Sequence, residues 1–107
     1  MLEISNKTKN KLSKRDIFLF RKATKIVLGD KYELSLVFCT DKISKHNTLA
    51  YPLSESEGEI IINPSRLGKF SLIQLFIHSL AHLAKFKHGK TMDNFEAEIH
   101  RELLTKF

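Results

Sequence analysis

Tryptophan is missing from this chain of 107 residues, cysteine occurs once, proline twice and glycine four times. A lone thiol, Cys39, cannot close an internal disulfide, which excludes a stapled secreted scaffold and leaves a reducing compartment as the expectation. So little proline and glycine leaves no linker or low-complexity tract long enough to divide the chain, and no internal repeat is found. No stretch approaches the roughly 18 apolar residues of a membrane span. The opening MLEISNKTKNK lacks the apolar run of a secretory signal. The expectation is a cytoplasmic protein without a membrane partner.

What is present is ordinary for a globular fold, with 42% hydrophobic and 28% charged residues. The length suits one domain, 1–107, with a single core. Basic residues outnumber acidic ones, 18 to 12, giving a net charge of +6. Many of them fall early: Lys7, Lys9, Lys11, Lys14, Arg15, Arg21, Lys22, Lys25 and Lys31, opposed only by Glu3, Asp16 and Asp30. Such a surface attracts phosphate backbones and releases condensed counterions, although a solvated helix face carries the same signature.

Leu2 to Ile4 reads as a short strand. Ser13 caps a helix that runs to about Leu28, with Asp16 three residues on and Ile17, Phe20, Ala23 and Val27 on the buried stripe; Gly29 stops it. Glu33 to Cys39 reads as a strand entering a core, with Cys39 a small buried hydrophobe. Leu49 to Leu53 and Glu59 to Ile62 are two further strands, Pro52 placing the first near an edge and Pro64 closing the second. Ser71 with Gln74 forms a capping box ahead of LIQLFIHSLAHLAKF, a helix apolar on most of its circumference and therefore expected to be central and buried. A last helix begins near Thr91 and carries Phe95, Ile99 and Leu103. The expected class is α+β: a small mixed sheet of about four short strands packed with three helices.

The buried helix carries the chemistry. His78 and His82 are four residues apart, so both imidazoles project from one face and can grip one metal ion. His88 follows six residues later beside Gly89, where a turn can fold a third imidazole back. Three protein ligands leave a coordination position for water, the arrangement of catalytic zinc. The bland alternative is two buried histidines bonded to backbone carbonyls, with His88 exposed. A zinc protease with related spacing needs a Glu directly after its first histidine. That position is Ser79, which argues against peptide hydrolysis by that route.

The motif HSLAHLAKFKHG resembles the HGxLHLxGYDH signature of the YbeY endoribonucleases, bacterial enzymes of ribosomal RNA maturation. Other segments match in order. LEISN resembles the family's first strand, ELSLVFCTDKIS its second strand and acidic turn, NTLAYPL its NVLSFPL segment and GEIIINP its GDIVIS segment. HGKTMDNFEAEI resembles the start of its acidic C-terminal helix. The resemblance spans nearly the whole chain. It implies a mixed sheet with helices, one divalent ion of zinc type held by His78, His82 and His88, and single-stranded RNA as substrate.

The chain also departs from the family. The stretch between Ser44 and Asn47 is short and has no counterpart of a cleft arginine, and the stretch before the histidine helix is shortened too. Ala50 stands for a serine, Ser79 and Lys85 for glycines, and Lys87 for an aspartate.

The function expected is metal-dependent hydrolysis of an RNA phosphodiester by an activated water, in ribosomal RNA maturation. The partner is ribosomal RNA, free or on a ribosomal subunit, and Arg66, Lys85 and Lys87 are the basic residues nearest the site in sequence. The alternatives are a non-catalytic, metal-stabilised RNA- or ribosome-binding module, and a hydrolase of another substrate such as a nucleotide. Asp41 and Glu59 are candidates to orient a ligand imidazole, although a turn or strand-edge carboxylate is the simpler reading of both. His46 reads as a loop residue and His100 as a surface one.

Overall fold

The computed structural model describes residues 1–84 and 90–105. In chain order the elements are β1 (Leu2–Asn6), α1 (Lys14–Leu28), β2 (Glu33–Phe38), β3 (Thr48–Pro52), β4 (Glu57–Ile62), a 3-10 turn (Pro64–Arg66), α2 (Leu72–Leu83) and α3 (Lys90–Thr105). The sheet order is β1-β2-β4-β3, with β1–β2 and β2–β4 parallel and β3–β4 antiparallel. This is the four-stranded mixed sheet with three helices of an α+β fold. None of the described helices is long and apolar enough to cross a membrane.

Local chemistry explains where the helices start and stop. The Ser13 hydroxyl accepts from the Asp16 N–H, and Gly29, at φ 86°, donates its N–H to the Lys25 carbonyl. An L-residue reaches that φ only with strain, so glycine ends α1 cheaply. At the head of α2 the whole capping box forms: Ser71 Oγ accepts from Gln74 N, and Gln74 Oε1 accepts from Ser71 N. Two orphan donors are thereby satisfied where the helix meets solvent.

Strand alternation decides the layers. Leu34, Leu36 and Phe38 of β2 and Ile60 and Ile62 of β4 are buried, while Ser35, Val37, Glu59 and Ile61 between them are half-exposed. The buried face takes the helices. Phe20 of α1 meets Phe38 at 5.6 Å and Phe76 of α2 at 4.9 Å between ring centroids, so three elements share one aromatic cluster. Each of these rings is fully buried, and losing one to alanine costs about 3–5 kcal/mol. α2 touches β3, β4, α1 and α3, and Leu75, Phe76, Ile77, Ser79, Leu80, Ala81 and Leu83 are buried along it.

Gly58 allows one close approach. A Cβ there would stand 2.5 Å from the Tyr32 hydroxyl and 3.2 Å from Leu83 Cδ2, so the last turn of α2 rests directly on the β4 backbone. Several boundaries differ from the sequence expectation. β1 continues to Asn6 because Asn6 still pairs with Phe38, and β4 begins at Glu57 because Glu57 pairs with Glu33. Within α1, Leu19 and Thr24 are buried beside Phe20 and Ala23, whereas Ile17 and Val27 are half-exposed. β3 is an edge strand, as Pro52 at its end predicts.

Candidate metal centre

α2 buries most of its circumference and leaves Gln74, His78 and His82 along its open side. The two imidazoles stand nearly perpendicular, at 89°, with ring centroids 4.7 Å apart. Their Nε2 atoms face each other at 3.2 Å, a hydrogen bond in which one ring donates to the other, and binding of a metal there would replace that shared proton. That separation is short enough for one metal ion to be held by both nitrogens. On its far side His78 Nδ1 lies 2.9 Å from Glu96 Oε1 of α3. A carboxylate accepting the Nδ1 proton fixes the tautomer whose Nε2 lone pair points at His82.

The third expected ligand, His88, lies outside the described residues, as do Lys85 and Lys87. Among the described residues, no group of three His, Cys, Asp or Glu side chains could hold a metal ion. The pair and its carboxylate are therefore the described part of the candidate centre.

The pair opens onto a cavity of about 880 Å³, within the size range of small-ligand sites. β3 contributes Thr48 and Ala50, with Asn47 just before it. Phe70 and Gln74 line it from the start of α2, and Asp93, Glu96, Ala97, His100 and Arg101 from α3. Ser79, buried at 1% exposure, turns its hydroxyl to Thr48 Oγ1 at 2.6 Å, tying α2 to the strand that walls the cavity. Its hydroxyl is thus engaged with a side chain of β3.

Asp41 and Arg66 form a separate cluster. Arg66 donates from Nε to Asp41 Oδ1 at 3.1 Å and from Nη2 to Oδ2 at 2.7 Å. Asn63, fully buried, donates to Asp41 Oδ1 and to the Ser44 carbonyl, and accepts from Ser65. The Arg66 and Asn63 hydrogen bonds hold the Asp41 carboxyl well below the usual carboxylate range. This network clamps the short connection after β2 onto the end of β4. It accounts for Asp41 without a ligand imidazole, and it directs Arg66 to Asp41; neither residue lines the cavity.

His46 is exposed in the connection before β3, its backbone N–H bonded to Ser44 Oγ. Glu59 is a half-exposed β4 residue opposite Ser35 and Tyr51. Cys39 is buried at 1% exposure, and burial pushes its thiol pKa up, so it is an inert core residue. His100, expected at the surface, is half-buried and lines the cavity next to Arg101.

Sequence reasoning passed over Glu96, although a signal existed. Met92, Ile99 and Leu103 are the buried stripe of α3, and Glu96 falls on that same stripe at helical spacing. A carboxylate turned toward the interior needs a partner, and His78 is that partner. No protein-family model matches the chain, and no curated protein matches it.

Proposed function

We propose that this chain is a metal-dependent endoribonuclease that hydrolyses single-stranded RNA in ribosomal RNA maturation, with one divalent ion, zinc in the simplest case, held by His78, His82 and His88. The observation that carries the reading is the pair of Nε2 atoms converging at 3.2 Å with Glu96 behind His78. The donor set suits the ion: imidazole nitrogens favour zinc, and also nickel or cobalt. Bound there, the ion supplies an activated water and polarisation of a phosphoryl oxygen.

The remaining work falls to the chain itself. Glu96 holds His78 in one tautomer and one orientation. The Thr48–Ser79 bond keeps the histidine helix in register with β3. Ser79 occupies the position where a zinc protease carries its general base, and its hydroxyl is committed to Thr48, which favours a phosphodiester over a peptide as substrate. The net charge of +6 fits a polyanion. The order of motifs resembling the YbeY family supports the same substrate. Lys85 and Lys87, beside the ligands in sequence, are the proposed backbone contacts; Arg66 joins them only by leaving Asp41.

One observation favours a second reading, a metal-stabilised RNA- or ribosome-binding module without catalysis. One of the three cations expected from sequence near the site, Arg66, is held in a bidentate pair with Asp41, which leaves less charge for a transition state. The deciding experiment is metal content by mass spectrometry on protein purified without a histidine tag, beside His82→Ala, followed by cleavage of labelled RNA. About one equivalent in the parent, little in the variant and metal-dependent cleavage support the enzyme. Metal without cleavage supports the module, and no metal in either protein removes the hydrolase.

A further inference from the structure

The cavity beside the histidine pair carries groups that the metal centre does not use. α2 and α3 follow one another in the chain and touch through His78 and Glu96. Gln74, one turn before His78, therefore faces the part of α3 one turn after Glu96, where His100 and Arg101 lie. Phe70, just ahead of the α2 cap, belongs to that same end. All four line the cavity.

The end so defined has two chemical characters. Phe70 is a large aromatic left 42% exposed, and Lys69 adds an ammonium 5.8 Å from its ring centroid. Arg101 is exposed and enters none of the ion pairs among the described residues. Of the two acidic wall residues, Glu96 is engaged by His78, and Asp93 stands eight residues before Arg101 on α3, about 12 Å away along the helix axis. The cavity is thus acidic toward the start of α3 and cationic, with an open aromatic face, toward Phe70 and Arg101. An exposed ring takes the face of any nucleobase, and a guanidinium takes a phosphate in bidentate fashion.

We propose that this end of the cavity is a subsite for one nucleotide of single-stranded RNA: Phe70 stacks on its base and Arg101 holds its phosphate, next to the phosphodiester at the histidine pair. The proposal rests on the endoribonuclease reading for its substrate, but its readout is binding. Arg101 is five residues beyond Glu96, about 7.5 Å along the axis, so the phosphate it holds is a neighbour of the one at the metal centre. Lys69 is exposed and can swing from the ring to the backbone of the strand. Asn47 and Gln74 offer amides along the same wall for sugar or base edges.

Phe70 also has a structural use. It precedes the cap residue Ser71 and is positioned to staple against Leu75. Phe70→Leu keeps an apolar staple and removes the aromatic face, which separates the two roles. The experiment is fluorescence anisotropy of a fluorescein-labelled hexauridylate over a range of KCl concentrations. The protein is used as purified, thermal melting confirms the fold of each variant, and a gel checks that the RNA stays intact.

Phe70→Leu is expected to weaken binding on the order of tenfold, with Phe70→Tyr close to the parent. Arg101→Gln is expected to weaken it severalfold and reduce the slope of log affinity against log salt by about 0.7. Parent-like affinity in both Phe70→Leu and Arg101→Gln overturns the subsite, as does a parent with no affinity for the RNA. If the variants lose affinity while the gel shows no cleavage by the parent, the subsite stands and the hydrolase reading falls. If the parent cleaves and the variants bind normally, the reverse holds.

Discussion

Replacing Glu96 probes the contact that joins α3 to the histidine pair. Glu96 Oε1 lies 2.9 Å from His78 Nδ1, and the two side chains are only 21% and 31% exposed. Their hydrogen bond is therefore partly shielded from water without being buried outright. Removing the outer partner of a ligand imidazole typically costs 10- to 100-fold in metal affinity. Glu96→Gln keeps an amide oxygen within reach of Nδ1 but loses the charge, so the expected loss is about tenfold, or about 1.4 kcal/mol. Glu96→Ala removes the acceptor and frees the ring to turn, and its expected loss approaches about 100-fold, or about 2.7 kcal/mol. The assay is competition for zinc against a chromophoric chelator near neutral pH, with circular dichroism confirming that each variant is folded. Affinity within twofold of the parent in a folded Glu96→Ala protein refutes the reasoning. Melting in the presence of a chelator separates this role from simple packing: a melting-temperature loss of the same size with and without metal assigns Glu96 to the helix interface alone.

Two further outcomes follow from hydrogen bonds outside the proposed ligand set. In a double-mutant cycle, Ser79→Ala and Thr48→Val should show a coupling of about 0.5–1.5 kcal/mol in denaturant unfolding, since the 2.6 Å bond joins a buried hydroxyl to the edge strand; additive effects would show that the two hydroxyls act independently. Asp41 has a folded pKa lowered by its Arg66 and Asn63 hydrogen bonds. Its contribution is present above the unfolded carboxylate value of about 3.9 and is lost as pH falls through the folded one. Asp41→Asn should therefore flatten the acid limb of melting temperature against pH, and parallel limbs in parent and variant would contradict this assignment.

The sequence was most legible where the determining interaction is local. Ser71 and Gln74 stand three residues apart and cap each other, Gly29 closes a helix with its own backbone, and the alternation of β2 assigns its faces without knowledge of its neighbours. His78 and His82 were legible for the same reason, because four residues on a helix place them together. Long-range contacts were not. Ser79 meets a strand residue 31 positions earlier, and Asp41 meets Arg66 across 25. The consequence for Arg66 was a change of role: it lies near the histidine helix in sequence, but Asn63 turns the chain after β4 so that its guanidinium reaches the acidic turn instead. His100 was read as a surface residue because the stripe of α3 was traced through Phe95, Ile99 and Leu103 alone. The cavity-facing positions Asp93, Ala97, His100 and Arg101 form their own row at helical spacing. What the row faces depends on the packing of α3 against α2, to which no local signal points.

Gly58 acts as a depth stop for the histidine helix. Ordinary contact with the Tyr32 hydroxyl begins near 3.4 Å, and the smallest side chain at this position would reach 2.5 Å. Even alanine therefore asks its surroundings to give way by about 1 Å. Leu83, which immediately follows His82, shares the same gap with its methyl carbons at 3.2 and 3.3 Å, so it too would have to give by a few tenths of an ångström. The missing methyl on the sheet thus lets the last turn of the helix that carries the proposed ligands His78 and His82 seat closely on β4.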